Sequence, residues 1–195
     1  FAYANQLGFR IKMVGVAEPG LTPHMQPCLL PLESQLAKVN GVLNAVEYHG
    51  EPVGAVLAVG PGAGGGATSS AVLADLVDVA LGHYTVPFGR PVAALTDAKA
   101  VKNGDGPDRP YYVRLMVVDQ PGVLASVTGI LQKFNISVEG LLQKGRAPGE
   151  FVALVMTTHE TSAQHLRGAL EEIAELAAVQ GAPVAMPILP EDMGA

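Results

Sequence analysis

The sequence has no tryptophan, a single cysteine, Cys28, and few charged side chains, which make up 15% of its 195 residues. Because one cysteine cannot form an internal disulfide, the composition suits a reducing compartment, and we expect the protein to be cytoplasmic. No apolar run reaches the roughly 18 residues of a membrane-spanning helix, and no segment has the layout of a secretion signal. We therefore expect no membrane partner.

Positive charge is also scarce. The chain carries 12 lysine and arginine residues against 18 acidic ones, for a net charge of −6, and no stretch concentrates the basic residues. A chain without a basic patch lacks the electrostatic footprint that attracts nucleic acid, so we expect no such partner. Hydrophobic residues, in contrast, make up 49% of the chain, which is enough for the core of one or two globular domains.

The first half of the chain is predicted to contain strands and helices in irregular order. Because the chain opens on Phe1 inside a helical pattern that ends at Gly8, we expect further sequence upstream. Residues 19–31 are interrupted by prolines and carry no predicted element. The other elements are a strand at 10–17, an antiparallel hairpin of strands at 41–50 and 51–60, and a helix at 68–81 capped by Thr68 or Ser69.

The second half alternates strands and helices compactly. It follows a polar segment with glycine and proline, 97–110, which we interpret as a linker. The order βαββαβ predicts an α+β sandwich of one sheet and two helices over 111–189. The predicted elements are strand 111–119, helix 121–134, strands 135–145 and 149–159, helix 161–177 capped by Thr161, and strand 182–189.

The glycine-rich stretch GPGAGGGATSSAVLADL, 60–76, is the first candidate binding segment. It lacks the lysine of a P-loop, which excludes that motif. Gly60, Gly62 and Gly65 match the letters of the dinucleotide fingerprint, but the preceding strand is predicted to belong to a hairpin and not to a parallel βαβ unit. Three interpretations stay open: a self-contained dinucleotide domain, which the predicted hairpin disfavours, a turn where backbone packs closely, or a loop that contacts a ligand held mainly by another domain.

Other catalytic signatures are missing from the sequence. The five histidines form no i, i+4 pair and have no neighbouring cysteine, so we expect no metal site. No serine lies in a nucleophile elbow, and Cys28 has no adjacent basic residue to activate it. We expect Cys28 to be a buried, unreactive thiol.

The segment VVDQPGVLASVTGIL, 117–131, resembles the signature of the ACT domain, and the elements over 111–189 follow the ACT order. Gly122 permits a tight turn after the strand and leaves the helix amides open to an α-carboxylate, while Asp119 can meet an ammonium group. The alternative is that Asp119 only caps the helix. The candidate effector-binding residues are Asp119, Gly122, Val123, Leu124, Asn135 and Gln143, of which Asn135 and Gln143 can equally be turn and edge residues.

Further motifs resemble homoserine dehydrogenase: LGFRIKMVGVA, NGVLNAV, GAGGGATSSAVLADL, ISVEGLLQKG and TTHE, in the order of that family. The resemblance implies that residues 1–96 are the C-terminal part of a mixed-sheet substrate and dimerisation domain. It implies a linker at 97–110 and a ferredoxin-like ACT regulatory domain at 111–189. The rival interpretation is a standalone amino-acid-binding regulator with no catalytic activity.

The resemblance also answers the question of the glycine loop. It implies that Gly62, Gly64 and Thr68 lie near an NAD(P) cofactor whose main site, with the catalytic residues, is in an upstream Rossmann domain of the same chain. No residue of this chain is then catalytic, and we expect no cofactor to bind to it alone. Ala67 and Gln120 depart from the proline and the basic residue that the family often has there.

The implied parent enzyme reduces aspartate semialdehyde to homoserine in threonine, methionine and isoleucine biosynthesis. As feedback inhibitor of this branch, L-threonine is the expected allosteric effector. The family also implies a homo-oligomer, at least a dimer. Neither the choice between NAD and NADP nor the subunit number follows from the sequence.

Overall fold

The computed structural model describes residues 1–18, 22–84, 86, 89–95, 107–145 and 147–191. The expected α+β class is confirmed, and every sheet pairing between its strands in these ranges is antiparallel. The elements in chain order are α1 Ala2–Gln6, β1 Phe9–Val16, β2 His24–Pro31, β3 Leu43–Gly50, β4 Gly54–Pro61, α2 Gly65–Leu81, β5 Tyr111–Val118, α3 Val123–Lys133, β6 Val138–Gln143, β7 Phe151–Thr158, α4 Ala163–Ala174 and β8 Val184–Pro187.

The chain divides into two compact units. The first joins Phe1–Ala37 to Lys102–Met193, and the second is Lys38–Val101 with the last two residues. The first hairpin, β1–β2, therefore packs with the C-terminal elements although it is distant from them in sequence. The ranges 1–96, 97–110 and 111–189 follow family resemblance and not packing, and they stay a prediction.

The four-stranded sheet of the first unit has the order β6-β7-β5-β8. Strand β5 lies between β7 and β8, with Leu115 opposite Leu154 and Val113 opposite Ala185. Because consecutive β-strand side chains point to opposite faces, alternate residues of β5 and β7 face the two helices. The buried core on that face contains Val113, Leu115, Val117, Leu154 and Met156 with Val127 and Leu131 of α3 and Leu166 and Ile173 of α4.

The opposite face of this sheet is covered by the start of the same chain. Tyr112 and Val155 on that face form a buried cluster with Ala4 of α1 and Leu29 of β2. Ile188, just after β8, completes the cluster and forms a parallel bridge with Leu29. The face of the sheet opposite the two helices is therefore buried by other residues of the same chain.

Strand β2 has no counterpart among the sequence predictions, which left 19–31 without an element. Its eight residues pair with β1 in continuous register from Phe9 opposite Pro31 to Val16 opposite His24. Proline disfavours a strand because its nitrogen cannot donate a hydrogen bond. Each strand of a two-stranded ladder has an outer edge, however, where no donor is needed. Cys28 lies in β2, fully buried, and burial raises its pKa to about 11, as the prediction of an unreactive thiol requires.

The second unit consists of the predicted hairpin and the helix after it. Strands β3 and β4 pair from Leu43 opposite Pro61 to Gly50 opposite Gly54, which confirms the hairpin. Helix α2 begins at Gly65, with Gly64 as N-cap, so the predicted start at Thr68 was wrong. The Ser69 hydroxyl donates to the Gly65 carbonyl inside the first turn and does not cap the helix.

Two further details of the helices complete the description. The cap of α4 is Ser162, whose hydroxyl accepts from the His165 N–H at 3.1 Å, and not Thr161 as predicted. Thr161 is instead tied by its backbone to Arg109 in a short bridge. In the described part of the chain, no helix has the length and apolar character needed to cross a membrane.

Candidate functional site

The effector turn, residues 119–122 between β5 and α3, has the backbone geometry expected of an anion site. Gly122 is the N-cap of α3 with φ 91°, in the left-handed region that favours glycine. No side chain caps the helix, so the alternative role of Asp119 as a helix cap is wrong. Because an α-helix leaves its first N–H groups without intrahelical acceptors, these groups can donate hydrogen bonds to a carboxylate.

Asp119 binds the loop between β6 and β7 and not the helix. Its Oδ2 accepts a hydrogen bond from the Ala147 N–H at 2.8 Å. Its backbone N–H donates to the Glu150 carbonyl at 2.8 Å, and its carbonyl accepts from the Gly149 N–H at 3.2 Å. The turn and this loop are therefore held together at three points through one residue.

Val123 and Leu124 occupy the first turn of α3 in different ways. Val123 is buried in the core, whereas Leu124 is 41% exposed. The helix starts regularly, with the Ser126 N–H bonded to the Gly122 carbonyl at 3.0 Å. Of these two candidates, Leu124 presents its side chain to solvent and Val123 anchors the helix.

Asn135 lies at the other end of α3. It follows the C-cap residue Phe134 and has φ 56°, the left-handed conformation that asparagine tolerates at a helix end. Since α3 has 11 residues and a helix rises 1.5 Å per residue, Asn135 is about 16 Å or more from Gly122. Within one chain the two residues do not meet.

Gln143, the last residue of β6, is also distant from the turn. It pairs with Leu154 of β7, and Leu154 stands opposite Leu115 of β5. Leu115 lies four residues before Asp119, and β6 is two strands away from β5. Strand spacing of about 4.8 Å and a rise of about 3.3 Å per residue put Gln143 about 16 Å from Asp119. The structure thus separates the three polar candidates into three places within one chain.

A groove of about 380 Å³ lies beside Asn135. Two of its lining residues, Leu131 and Ile136, are buried apolar residues. The remaining lining residues are Thr128, Gln132, Ser137 and Val138.

The glycine loop before α2 lies in the second unit. Gly64 has φ 122°, which only glycine adopts readily, and a Cβ on Gly62 would overlap the side-chain amide of Asn44. Thr68 is exposed in the first turn, and its N–H donates to the Gly64 carbonyl at 3.0 Å. The amides of α2 that have no intrahelical acceptor are those of residues 65–67, between Gly64 and Thr68.

The loop does not fit a complete dinucleotide site. The strand before it, β4, pairs antiparallel with β3, whereas a dinucleotide site needs a parallel βαβ unit. In the ranges that the structure describes, no group of three or more His, Cys, Asp or Glu side chains is placed to hold a metal ion.

Comparison with known proteins decides the family. Residues 1–77 match the family model described as homoserine dehydrogenase, and residues 111–178 match the ACT domain. A homoserine dehydrogenase of Neisseria gonorrhoeae is 35% identical over 186 residues, and one of Pseudomonas aeruginosa is 37% identical over 190. Residues 1–77 belong to the homoserine dehydrogenase family. The chain also carries an ACT domain, as the sequence resemblance implied.

Solved structures agree with this assignment. The crystal structure of a homoserine dehydrogenase from Thiobacillus denitrificans matches with a TM-score of 0.80 at 35% identity, covering 97% of this chain. A Staphylococcus aureus homoserine dehydrogenase matches with a TM-score of 0.59 at 26% identity. The alignments cover 91% and 92% of this chain but 43% of the Neisseria and Pseudomonas relatives, so the chain spans less than half of their length.

The partners of Asp119 could not be found from the sequence. Pro148 and Gly149 mark a turn between two strands, which is a local signal. That Ala147 donates to a carboxylate 28 positions earlier is a long-range contact with no local pattern. Sequence reasoning therefore found the turn and missed the loop that binds it.

Proposed function

We propose that this chain is the regulatory and assembly portion, at the C-terminal end, of a homoserine dehydrogenase. The observation that carries the proposal is the succession, in one chain, of a homoserine dehydrogenase match at 1–77 and an ACT match at 111–178. An effector that binds one segment can act on the other only where the two are physically connected. The packing of α1 and β1–β2 against the β5–β8 sheet supports such a connection.

The whole enzyme would reduce aspartate semialdehyde to homoserine with NAD(P)H in the cytoplasm, on the route to threonine, methionine and isoleucine. In this proposal Gly62, Gly64 and Thr68 contact the cofactor, which is held mainly by a Rossmann domain outside this chain. The open amides at the start of α2 support the contact. The 195-residue chain alone is expected to show no turnover with homoserine and negligible affinity for NAD(P)H.

The proposed effector is L-threonine, bound between two copies of the chain. Its carboxylate would meet the first amides of α3 at Gly122, and its ammonium would meet Asp119. Asn135 and Gln143 would come from the neighbouring copy, because each lies about 16 Å from the turn within one chain. Val123 and Leu124 would line the first helical turn.

Self-association is part of the same proposal. The outer face of the β5–β8 sheet is already covered within the chain, so that face offers little support for a dimer. The second unit offers more, because Val72, Leu76 and Val79 of α2 are each more than half exposed. Apolar exposure of this extent is typical of surfaces that pack against another chain or domain.

The decisive experiment is calorimetric titration of the 195-residue chain with each of the twenty amino acids, with its mass followed by light scattering. We expect threonine to bind most tightly and the chain to be at least dimeric at tens of micromolar. A Gly122→Val variant should bind threonine at least about tenfold more weakly, because a side chain there obstructs the approach of the carboxylate. Tighter binding of another amino acid would overturn the choice of effector, and a monomeric mass would overturn the shared site.

A further inference from the structure

The loop between β6 and β7 connects two parts of the first unit. We call its described residues, 144–145 and 147–150, the β6–β7 connection. At its far end Ala147, Gly149 and Glu150 each form a hydrogen bond with Asp119. The connection is therefore bound to the effector turn through one residue, which uses its carboxylate, its N–H and its carbonyl.

The near end of the connection lies against α1. The Lys144 ammonium is 5.9 Å from the centroid of the Tyr3 ring, within the range of a cation–π contact. Just before it, Leu142 of β6 packs on the buried cluster to which Tyr3 and Ala4 also belong. A shift of the connection therefore changes contacts of α1, which belongs to the segment that matches homoserine dehydrogenase.

We propose that Asp119 is a positioning residue: it holds the β6–β7 connection against the effector turn, and the connection couples that turn to α1. When the Asp119 side chain moves, the Ala147 amide loses its acceptor, and only the two backbone hydrogen bonds of Asp119 still hold the connection to the turn. The loss reaches α1 through Lys144 and Leu142. The regulatory meaning of this coupling rests on the proposed effector site, whereas the coupling itself does not.

Two substitutions separate this role from recognition of an ammonium group. Asp119→Asn keeps a side-chain oxygen that accepts from the Ala147 N–H but removes the negative charge. Asp119→Ala removes both. Positioning therefore tolerates Asn and not Ala, whereas ammonium recognition by charge tolerates neither.

The first test is amide hydrogen exchange, resolved by residue, in the 195-residue chain. In Asp119→Ala we expect exchange at Ala147 and Gly149 to rise about tenfold or more, and exchange in α1 to rise several-fold, because local opening becomes easier. Asp119→Asn should stay within about threefold of the unsubstituted chain. The exposed residue Asp108 supplies the control, Asp108→Ala, which should change neither region.

Three outcomes of this test overturn the proposal. Unchanged exchange at Ala147 in Asp119→Ala means that Asp119 does not hold the connection. Faster amide exchange in the connection with unchanged exchange in α1 means that the two are not coupled. Equal exchange in the Asn and Ala variants means that the acceptor oxygen is not what holds the loop.

A second test approaches the coupling from α1, so that the inference stays falsifiable if Asp119→Ala does not fold. Tyr3→Leu removes the ring that Lys144 faces, and Tyr3→Phe keeps it. We expect exchange at Ala147 and Gly149 to rise in Tyr3→Leu and to stay unchanged in Tyr3→Phe. No difference between these two variants overturns the coupling.

Threonine titration then separates this inference from the proposed function. If the unsubstituted chain binds threonine, Asp119→Asn should lose affinity about tenfold or more, because the proposed ammonium contact loses its charge while the loop stays held. Retained affinity would overturn the ammonium contact and leave the coupling standing. If the unsubstituted chain binds no threonine, the proposed effector fails. The exchange measurements on Asp119 and Tyr3 still decide whether the coupling exists.

Discussion

The two units of this chain differ in how much of their apolar surface they bury. The first unit buries it in layers on both faces of the β5–β8 sheet, with Val113, Val127 and Ile173 fully enclosed. In the second unit, no residue among those described is buried, and helix α2 presents Val72, Leu76 and Val79 to solvent. Apolar residues thus mark a core in one unit and an uncovered surface in the other.

This difference indicates which unit is stable without contacts to another surface. Burial of apolar surface contributes about 25 cal/mol per Å², and only the first unit gains substantially from it. A hairpin alone is at best marginally stable in water, and β3–β4 has only a helix without a buried face beside it in sequence. We therefore expect the unfolding of this chain to report on the first unit, with the second stabilised only when another surface covers it.

The largest expected effect comes from truncating one leucine in each unit. Leu154 in β7 is 1% exposed and Leu76 in α2 is 60% exposed. We expect Leu154→Ala to lower the free energy of unfolding by about 2–5 kcal/mol, because a cavity remains in a closed core. Leu76→Ala should change it by less than about 0.5 kcal/mol. Urea unfolding followed by circular dichroism measures both, and a cost above about 1.5 kcal/mol for Leu76→Ala would contradict the contrast.

Cysteine reactivity tests the same contrast by chemistry. Burial raises the pKa of Cys28 from 9.0 to about 11, although the charge of Arg109 lowers it in part. Two pKa units mean about 100-fold less thiolate at neutral pH, so alkylation in the native chain should be slower by at least that factor than for an exposed thiol. The comparison is Ser70→Cys on α2 in a Cys28→Val background, and rapid alkylation of Cys28 itself at pH 7.5 would show that the first unit opens readily.

The same pKa shift makes stability depend on pH in a known direction. Below pH 9 the thiol is protonated in both the folded and the unfolded chain and contributes no dependence. Between pH 9 and about 11 the folded chain holds a proton that the unfolded chain releases, so the free energy of unfolding falls as the pH rises. Cys28→Val should make this fall shallower, and an identical slope in the two chains would contradict the burial of the thiol.

The fold of the C-terminal elements was predictable because its signals are local. Apolar spacing in α3 and α4 and alternation in β5 and β7 each lie within one segment, and the βαββαβ order then limits the topology. Strand β2 was not predictable in this way, because Pro27 and Pro31 contradict strand propensity. They are tolerated only because of where the strand lies in its sheet.

The candidate site was predictable to a smaller extent. Gly122 could be assigned a tight turn from its position between a strand and a helix, and its φ of 91° agrees. The partner of the Asp119 carboxylate depends on how a loop 28 positions later folds back, and no periodicity encodes that. Local conformation follows from sequence patterns here, whereas contacts between loops require the packed chain.

Left-handed glycines provide the next test of the contrast between the units. Gly122 and Gly64 both have positive φ, 91° and 122°, and a Cβ at either would meet no atom within 4 Å. Alanine therefore adds only backbone strain, of about 1–3 kcal/mol. We expect Gly122→Ala to lower the free energy of unfolding by about that amount. Gly64→Ala should leave urea unfolding nearly unchanged, and equal losses would show that the two units unfold together.

The smallest expected effect is a gain, and it comes from glycines inside helices. Gly129 is exposed in α3, and an added Cβ would meet nothing within 4 Å. Alanine there should stabilise the chain by about 0.5–1 kcal/mol, because it loses less backbone entropy than glycine on folding. The matched change in the second unit is Gly66→Ala in the first turn of α2, where the added Cβ again meets no neighbour. If α2 unfolds independently of the core, only Gly129→Ala raises the urea midpoint, whereas equal gains would mean that α2 is part of the cooperative fold.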